Sequence, residues 1–144
     1  MPTRTAGVTL VELLVVVTVV AILASIAMPG YRSHVLRTHR VEAKTALLNL
    51  AAAQEKFYLV NNTYAANGVL SDAPPAGLGL PATTENGWYT IAIANGADAT
   101  TFSATATATG AQTADDDCAT FTINALGARS ATNSGGTAST VCWD

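Results

Sequence analysis

The feature that most constrains this chain is the apolar run from Val8 to Met28, which is interrupted by one carboxylate, Glu12. A helix over that run, at about 1.5 Å per residue, would be roughly 31 Å long, matching the hydrocarbon thickness of a bilayer. In lipid a single segment satisfies its own backbone only as a helix, so the valines and isoleucines here do not argue for a strand. Any folded domain must come from the rest of the 144 residues. A carboxylate in such a segment is costly and calls for a role.

Charge divides the chain unevenly. The net charge of −3 conceals a basic stretch, Arg32, Arg37, Arg40 and Lys44, while everything after Lys56 has one base, Arg129, against seven acids. The acidic part is a poor surface for nucleic acid. The two cysteines, Cys118 and Cys142, lie late in a Thr- and Ala-rich region without enough neighbouring ligands for zinc. A disulfide in an oxidising compartment is the simpler reading.

Ahead of the apolar run, MPTRTAG is short and polar, and Arg4 and the amine are its only positive charges, as at the front of an export signal. Pro29 and Gly30 then interrupt, which predicts a kink or a local loss of helical hydrogen bonds without requiring the helix to stop. From Tyr31 to Leu59, Leu36, Ala43, Leu47, Leu50 and Phe57 recur at helical spacing, with Arg37, Arg40, Glu42, Lys44, Asn49 and Lys56 mostly on other faces. This is an amphipathic helix continuous with the apolar one, and Asn61 and Asn62 mark its end. SDAPPAGLGLP, residues 71–81, is an aperiodic connection.

Strict alternation follows. Tyr89, Ile91 and Ile93 share one face, Phe102, Ala104, Ala106 and Ala108 another run's face, and Phe121 and Ile123 a third, with turn residues Asn95, Gly96 and Gly110 between. Short connections favour an antiparallel meander whose apolar face needs the helix of residues 31–59 as its cover. The Gly/Ser-rich tail would be held down by Cys142 bonding to Cys118, a closure worth about 3 kcal/mol in the chain-entropy account.

At Gly7, Val8 and Glu12 the chain resembles a type IV pilin precursor, whose class III signal is a short basic leader ending in Gly, then a hydrophobic residue, with Glu fifth in the processed chain. Pro29 falls where pilins carry a helix-breaking proline. RVEAKTALLNLAAAQEKFYLVNNTYA, GWYTIAI, CATFTINALGARSA and the terminal CWD are similar to minor pilins of the PilE type. The resemblance implies an α+β pilin fold, with a long N-terminal helix packed on a C-terminal antiparallel sheet of three to four strands. Its divisions are a leader at 1–7, a hydrophobic membrane and fibre-core helix at 8–29, an amphipathic half at 30–60, a connecting loop at 61–87, and a sheet with a disulfide-bounded region at 88–144.

The resemblance also implies a structural role, with no enzyme activity and no cofactor. A prepilin peptidase would cut between Gly7 and Val8 and methylate Val8, and assembly machinery would stack the subunit with other pilin subunits. The chain would sit in the inner membrane with its C-terminal part in the periplasm, then in the extracellular fibre. Glu12 would pair with the new amine of a neighbouring subunit. Pilins usually begin with Phe after cleavage, and Val8 departs from that pattern. Arg32, Arg37 and Arg40 beyond the apolar run oppose this orientation by the positive-inside rule, whereas the cysteine pair requires it.

The bland readings stand beside these. An ordinary secretory signal, cut before Met28 to release a soluble binding module, fits Arg4 and the small residues Ser25 and Ala27 but neither Glu12 nor the length. A plain anchor leaves Glu12 without a purpose. A type II secretion pseudopilin is the alternative within the family, and the late cysteine pair favours a pilus. His34 and His39 are expected to be solvated, Asp115, Asp116 and Asp117 to form an exposed turn, and Trp143 to pack the tail. No metal site is read. The basic run is expected to be a hydrated helix face with Glu42 and Glu55 as partial partners, with DNA or lipid phosphates as the alternative contact.

Overall fold

The computed structural model describes residues 7–94 and 100–144, with Pro29 described by its backbone. The expected leader residues 1–6, with Arg4, and the expected turn at Asn95 and Gly96 lie outside the described residues. Helix α1 spans Leu10–Asn61. The chain divides into two units, Met1–Val35 and Leu36–Asp144.

The first unit is the apolar part of α1. Thr9 starts the helix: its carbonyl accepts from Leu13 N at 3.1 Å and its hydroxyl from Glu12 N at 3.2 Å, the arrangement of an N-cap. The hydroxyls of Thr18 and Ser25 donate back to the Leu14 and Ile22 carbonyls, so the polar side chains of this stretch are satisfied within the helix. The helix continues through Pro29 and Gly30, so the expected break does not end the element. Proline removes one amide donor there, which leaves the carbonyl one turn earlier without its usual helical partner.

The second unit is a four-stranded antiparallel sheet in the order β1 (Tyr89–Ile93), β2 (Ser103–Ala108), β3 (Thr120–Asn124), β4 (Arg129–Thr132), covered by the amphipathic half of α1. Its register sets Ile91, Ala106, Phe121 and Ala131 in one row of the buried face and Ile93, Ala104 and Ile123 in the next. Large and small side chains alternate across each row, which leaves room for the Tyr89 and Phe121 rings to meet edge to face at 5.8 Å. Ala43, Leu47 and Leu50 of α1 are fully buried with them. The opposite face is polar, with cross-strand pairs Thr90–Thr107, Thr107–Thr120 and Thr105–Thr122.

Two features fix the ends of this unit. At the end of α1, Asn62 takes a positive φ of 56° and the chain reverses. The buried Gln54 amide then holds Ala65 at both its N–H and its carbonyl, each at 2.8 Å. At the other end the Gly/Ser-rich tail supplies β4, a strand outside the three alternating runs, because Ala131 is the tail's apolar residue opposite Phe121. The Cys118–Cys142 disulfide, with Cα atoms 5.7 Å apart, ties the last residues beneath it.

Candidate functional site

The residues singled out at the N-terminus lie at the head of α1. Val8 is 71% exposed, and a Cβ on Gly7 would meet nothing within 4 Å. Glu12 lies in the first turn, where the positive end of the helix macrodipole favours a carboxylate. Thr9 and Glu12 also have the spacing of a capping box, a local reason for Glu12 that the pattern around Gly7 hides. From Leu10 to Met28 every large apolar side chain is at least half exposed. This stretch is long and apolar enough to cross a membrane and has no packing partner among the described residues of its own unit.

The second unit holds a polar cluster at the start of the amphipathic half of α1. Arg40, expected on a hydrated face, is 8% exposed and donates from Nε and Nη2 to the two Asp115 carboxylate oxygens at 2.7 and 2.6 Å. Asp115, expected in an exposed turn, is 3% exposed. Asp117 adds a longer contact to Arg40 at 3.8 Å. The hydrogen bond that Arg40 donates to Asp115 raises its pKa against the opposing effect of burial. The physical reason for both corrections is periodicity: Arg40 begins the same stripe as Ala43, Leu47, Leu50 and Gln54, each three or four residues on, so its side chain enters the sheet side and needs a buried anion.

Around this pair the cluster closes through Gln112, which is fully buried in the short 3₁₀ segment Gly110–Ala114. Its Nε2 faces the Leu36 carbonyl at 3.2 Å, Asp115 at 3.2 Å and the Tyr89 hydroxyl at 2.9 Å. The amide oxygen must then accept from His39 Nδ1 at 2.8 Å, which assigns the hydrogen of that ring to Nδ1. His39 is not simply solvated: it stacks on Trp88 with ring centroids 4.2 Å apart. Burial pushes the Tyr89 hydroxyl up to about 12, with the Asp115 carboxylate adding to the effect. Glu42 accepts from Asn86 and Glu55 from the Tyr64 hydroxyl, where the basic run was their expected partner. Lys44 donates to the carbonyl of the last residue, Asp144, at 2.5 Å, and burial together with the neighbouring Arg40 lowers its pKa.

The tail is held as well as linked. Trp143 meets Phe121 edge to face at 5.7 Å, donates from its ring nitrogen to the Ser130 carbonyl at 2.8 Å, and carries the Arg129 guanidinium 5.4 Å above its ring. Among the described residues no group of three or more His, Cys, Asp and Glu is placed to hold a metal. The Arg40–Asp115–Gln112 cluster joins α1, β1 and the 3₁₀ segment that precedes Cys118. Sequence reasoning missed Arg40, Gln54, Gln112 and Asp115 as buried residues, and the heptad spacing of the first two was the available signal.

Comparison with known proteins bears on both units. The family described as "Type IV minor pilin ComP, DNA uptake sequence receptor" matches residues 29–122, and "Prokaryotic N-terminal methylation motif" matches residues 2–28. Type IV major pilin protein PilE1 of Neisseria gonorrhoeae is 36% identical over 98 residues, which are 67% of this chain and 43% of that protein. Fimbrial protein EcpC of Eikenella corrodens is 35% identical over 113 residues, 74% of this chain and 68% of that protein. The chain thus spans less than half of the first of these relatives. A solved type IV pilin from Shewanella oneidensis aligns with a TM-score of 0.47 and 26% identity, covering 65% of this chain and 89% of that one. The fold described above rests on its own elements and not on that alignment.

Proposed function

This chain belongs to the type IV minor pilin family, and on that premise we propose that it is a structural subunit of a type IV pilus, held in the inner membrane until it is assembled. The observation that carries this reading is the spacing Gly7, Val8, Glu12 at the head of an apolar helix segment with no packing of its own. A prepilin peptidase acting at the Gly7–Val8 bond would leave an α-amine on Val8, the N-terminus that the methylation motif concerns. Stacked apolar helices then bring the amine of one subunit to the Glu12 carboxylate of another. An unpaired carboxylate at the centre of a membrane helix costs about 2.5–3.5 kcal/mol on insertion scales and less near an end, so pairing biases the subunit towards the fibre.

Glu12→Ala tests the pairing. The variant is expected to be cut after Gly7 as the parent is, yet to be depleted from sheared fibres, whereas parental abundance in the fibre contradicts the pairing.

A second reading, contact with DNA, is supported by the description of the family matching residues 29–122. With Arg40 bonded to Asp115 and Lys44 to Asp144, that contact would fall on Arg32 and Arg37, both exposed. Phosphate contacts are salt-dependent, so an Arg32→Ala, Arg37→Ala double variant should weaken DNA capture by isolated fibres and flatten its salt dependence. Unchanged capture and slope remove this reading and leave the structural one intact.

A further inference from the structure

A groove runs along the folded unit between α1 and residues 74–85. Two hollows of about 520 and 470 Å³ adjoin in it and share Asn49 and Leu80. Each lies within the range of about 300–1,000 Å³ usual for small-ligand sites. Leu50, Leu80 and Ile91 wall the first hollow, and Phe57, Val60 and Leu78 the second. Charge is divided between them: Glu42 and Glu85 line the first, while Lys56 lines the second, which has no acid.

Glu42 is already engaged by the backbone and side chain of Asn86. Glu85, Asn49 and Lys56 are exposed, and among the described residues none of the three makes a hydrogen bond or ion pair. They offer an anion at one end of an apolar track, an amide midway and a cation at the other end. From Glu42 to Lys56 the helix rises about 21 Å, the span of about six extended residues at about 3.3 Å each. A simple amphiphile with one charged head would use one end and leave the other charge and the amide idle. Addition of a strand to β1 is blocked, because Ile91 N donates to the Ala82 carbonyl and Ile93 N to Asn67 Oδ1, both at 2.8 Å. Main-chain recognition therefore falls to the Asn49 side chain, which can donate to a peptide carbonyl and accept from a peptide N–H.

We infer that this groove binds a short apolar peptide, about six residues long and free at both ends, with its carboxylate at Lys56, its amine at Glu85 and its middle on the Asn49 amide. An extended peptide turns alternate side chains to one side, so every second apolar residue enters the two hollows. Burial of those side chains supplies most of the affinity. The exposed ion pairs contribute little each, and their role is to fix direction and length. The inference goes beyond the pilus-subunit reading and does not rest on it, since every group it uses lies in the folded unit.

The test uses the full chain in lipid nanodiscs, with empty nanodiscs as the blank, and a hexapeptide of alternating leucine and alanine that carries a photo-reactive leucine in its middle. Crosslinks are expected on residues 45–57 and 78–85. Acetylating the peptide's amine or amidating its carboxylate should each weaken binding roughly two- to fivefold, as loss of an exposed ion pair does. The first loss should vanish in Glu85→Gln and the second in Lys56→Gln, while Asn49→Ala weakens the free peptide about two- to tenfold. All three positions are exposed, and an intact Cys118–Cys142 disulfide checks that each variant is folded. Crosslinks scattered outside the groove, or equal binding of the free and doubly blocked peptides, overturn the inference. So does an absent peptide signal with decanoate bound through Lys56 alone, which would make the groove a site for a fatty-acid anion.

Discussion

Arg40 and Asp115 show what a single charged residue does when helical spacing carries it inside. Neither ion is stable alone there, and the pair works because one guanidinium edge, Nε with Nη2, meets both carboxylate oxygens. Asp115→Ala strands Arg40 and should cost about 3–5 kcal/mol in thermal or denaturant unfolding of the full chain in detergent. Replacing both, Arg40→Met with Asp115→Leu, should cost less than Asp115→Ala alone. Tyr89 gives a pH signature. Its folded pKa of about 12 lies above the ordinary value of 10.0, so its contribution is fully present below pH 10. Stability is then lost as the unfolded chain ionises first and pH rises towards 12, a decline that Tyr89→Phe should flatten when unfolding is followed across that window. At this scale the sequence was least legible: Arg40 and Asp115 read as solvent-facing because residue type was weighed above position.

Position was more informative for whole elements. Period-two alternation located β1, β2 and β3, since one face of each strand must be apolar to meet the helix. The stripe Ala43, Leu47, Leu50 likewise marked the covering face of α1. β4 was illegible because four residues with a single buried alanine make no period, and its place is set by pairing with β3 and by the disulfide. Two predictions belong here. Cys118→Ala with Cys142→Ala should cost about 3 kcal/mol and free the tail first, seen as early amide exchange of residues 129–144. Gln54→Ala leaves the Ala65 N–H and carbonyl without their side-chain partner and should cost about 1–3 kcal/mol, with exchange loosening at Ala65 and Asn67 before the sheet opens.

For the whole molecule, one unit is a small α+β domain and the other an apolar helix whose described large side chains are exposed. Such a segment favours lipid or copies of a similar helix, and in the proposed function Glu12 near its start would make the second environment selective. In the proposed function Gly7 would give that carboxylate its partner, because cleavage after it would create an amine on the residue four positions before Glu12. The central claim is therefore that this chain enters a fibre in processed form. Intact-mass spectrometry of the subunit recovered from sheared, washed pili tests it most directly. The account predicts a chain whose first residue is Val8 and whose two cysteines are joined. A mature chain that begins at Met28, or a fibre fraction that lacks the subunit while the membrane retains it, would contradict it.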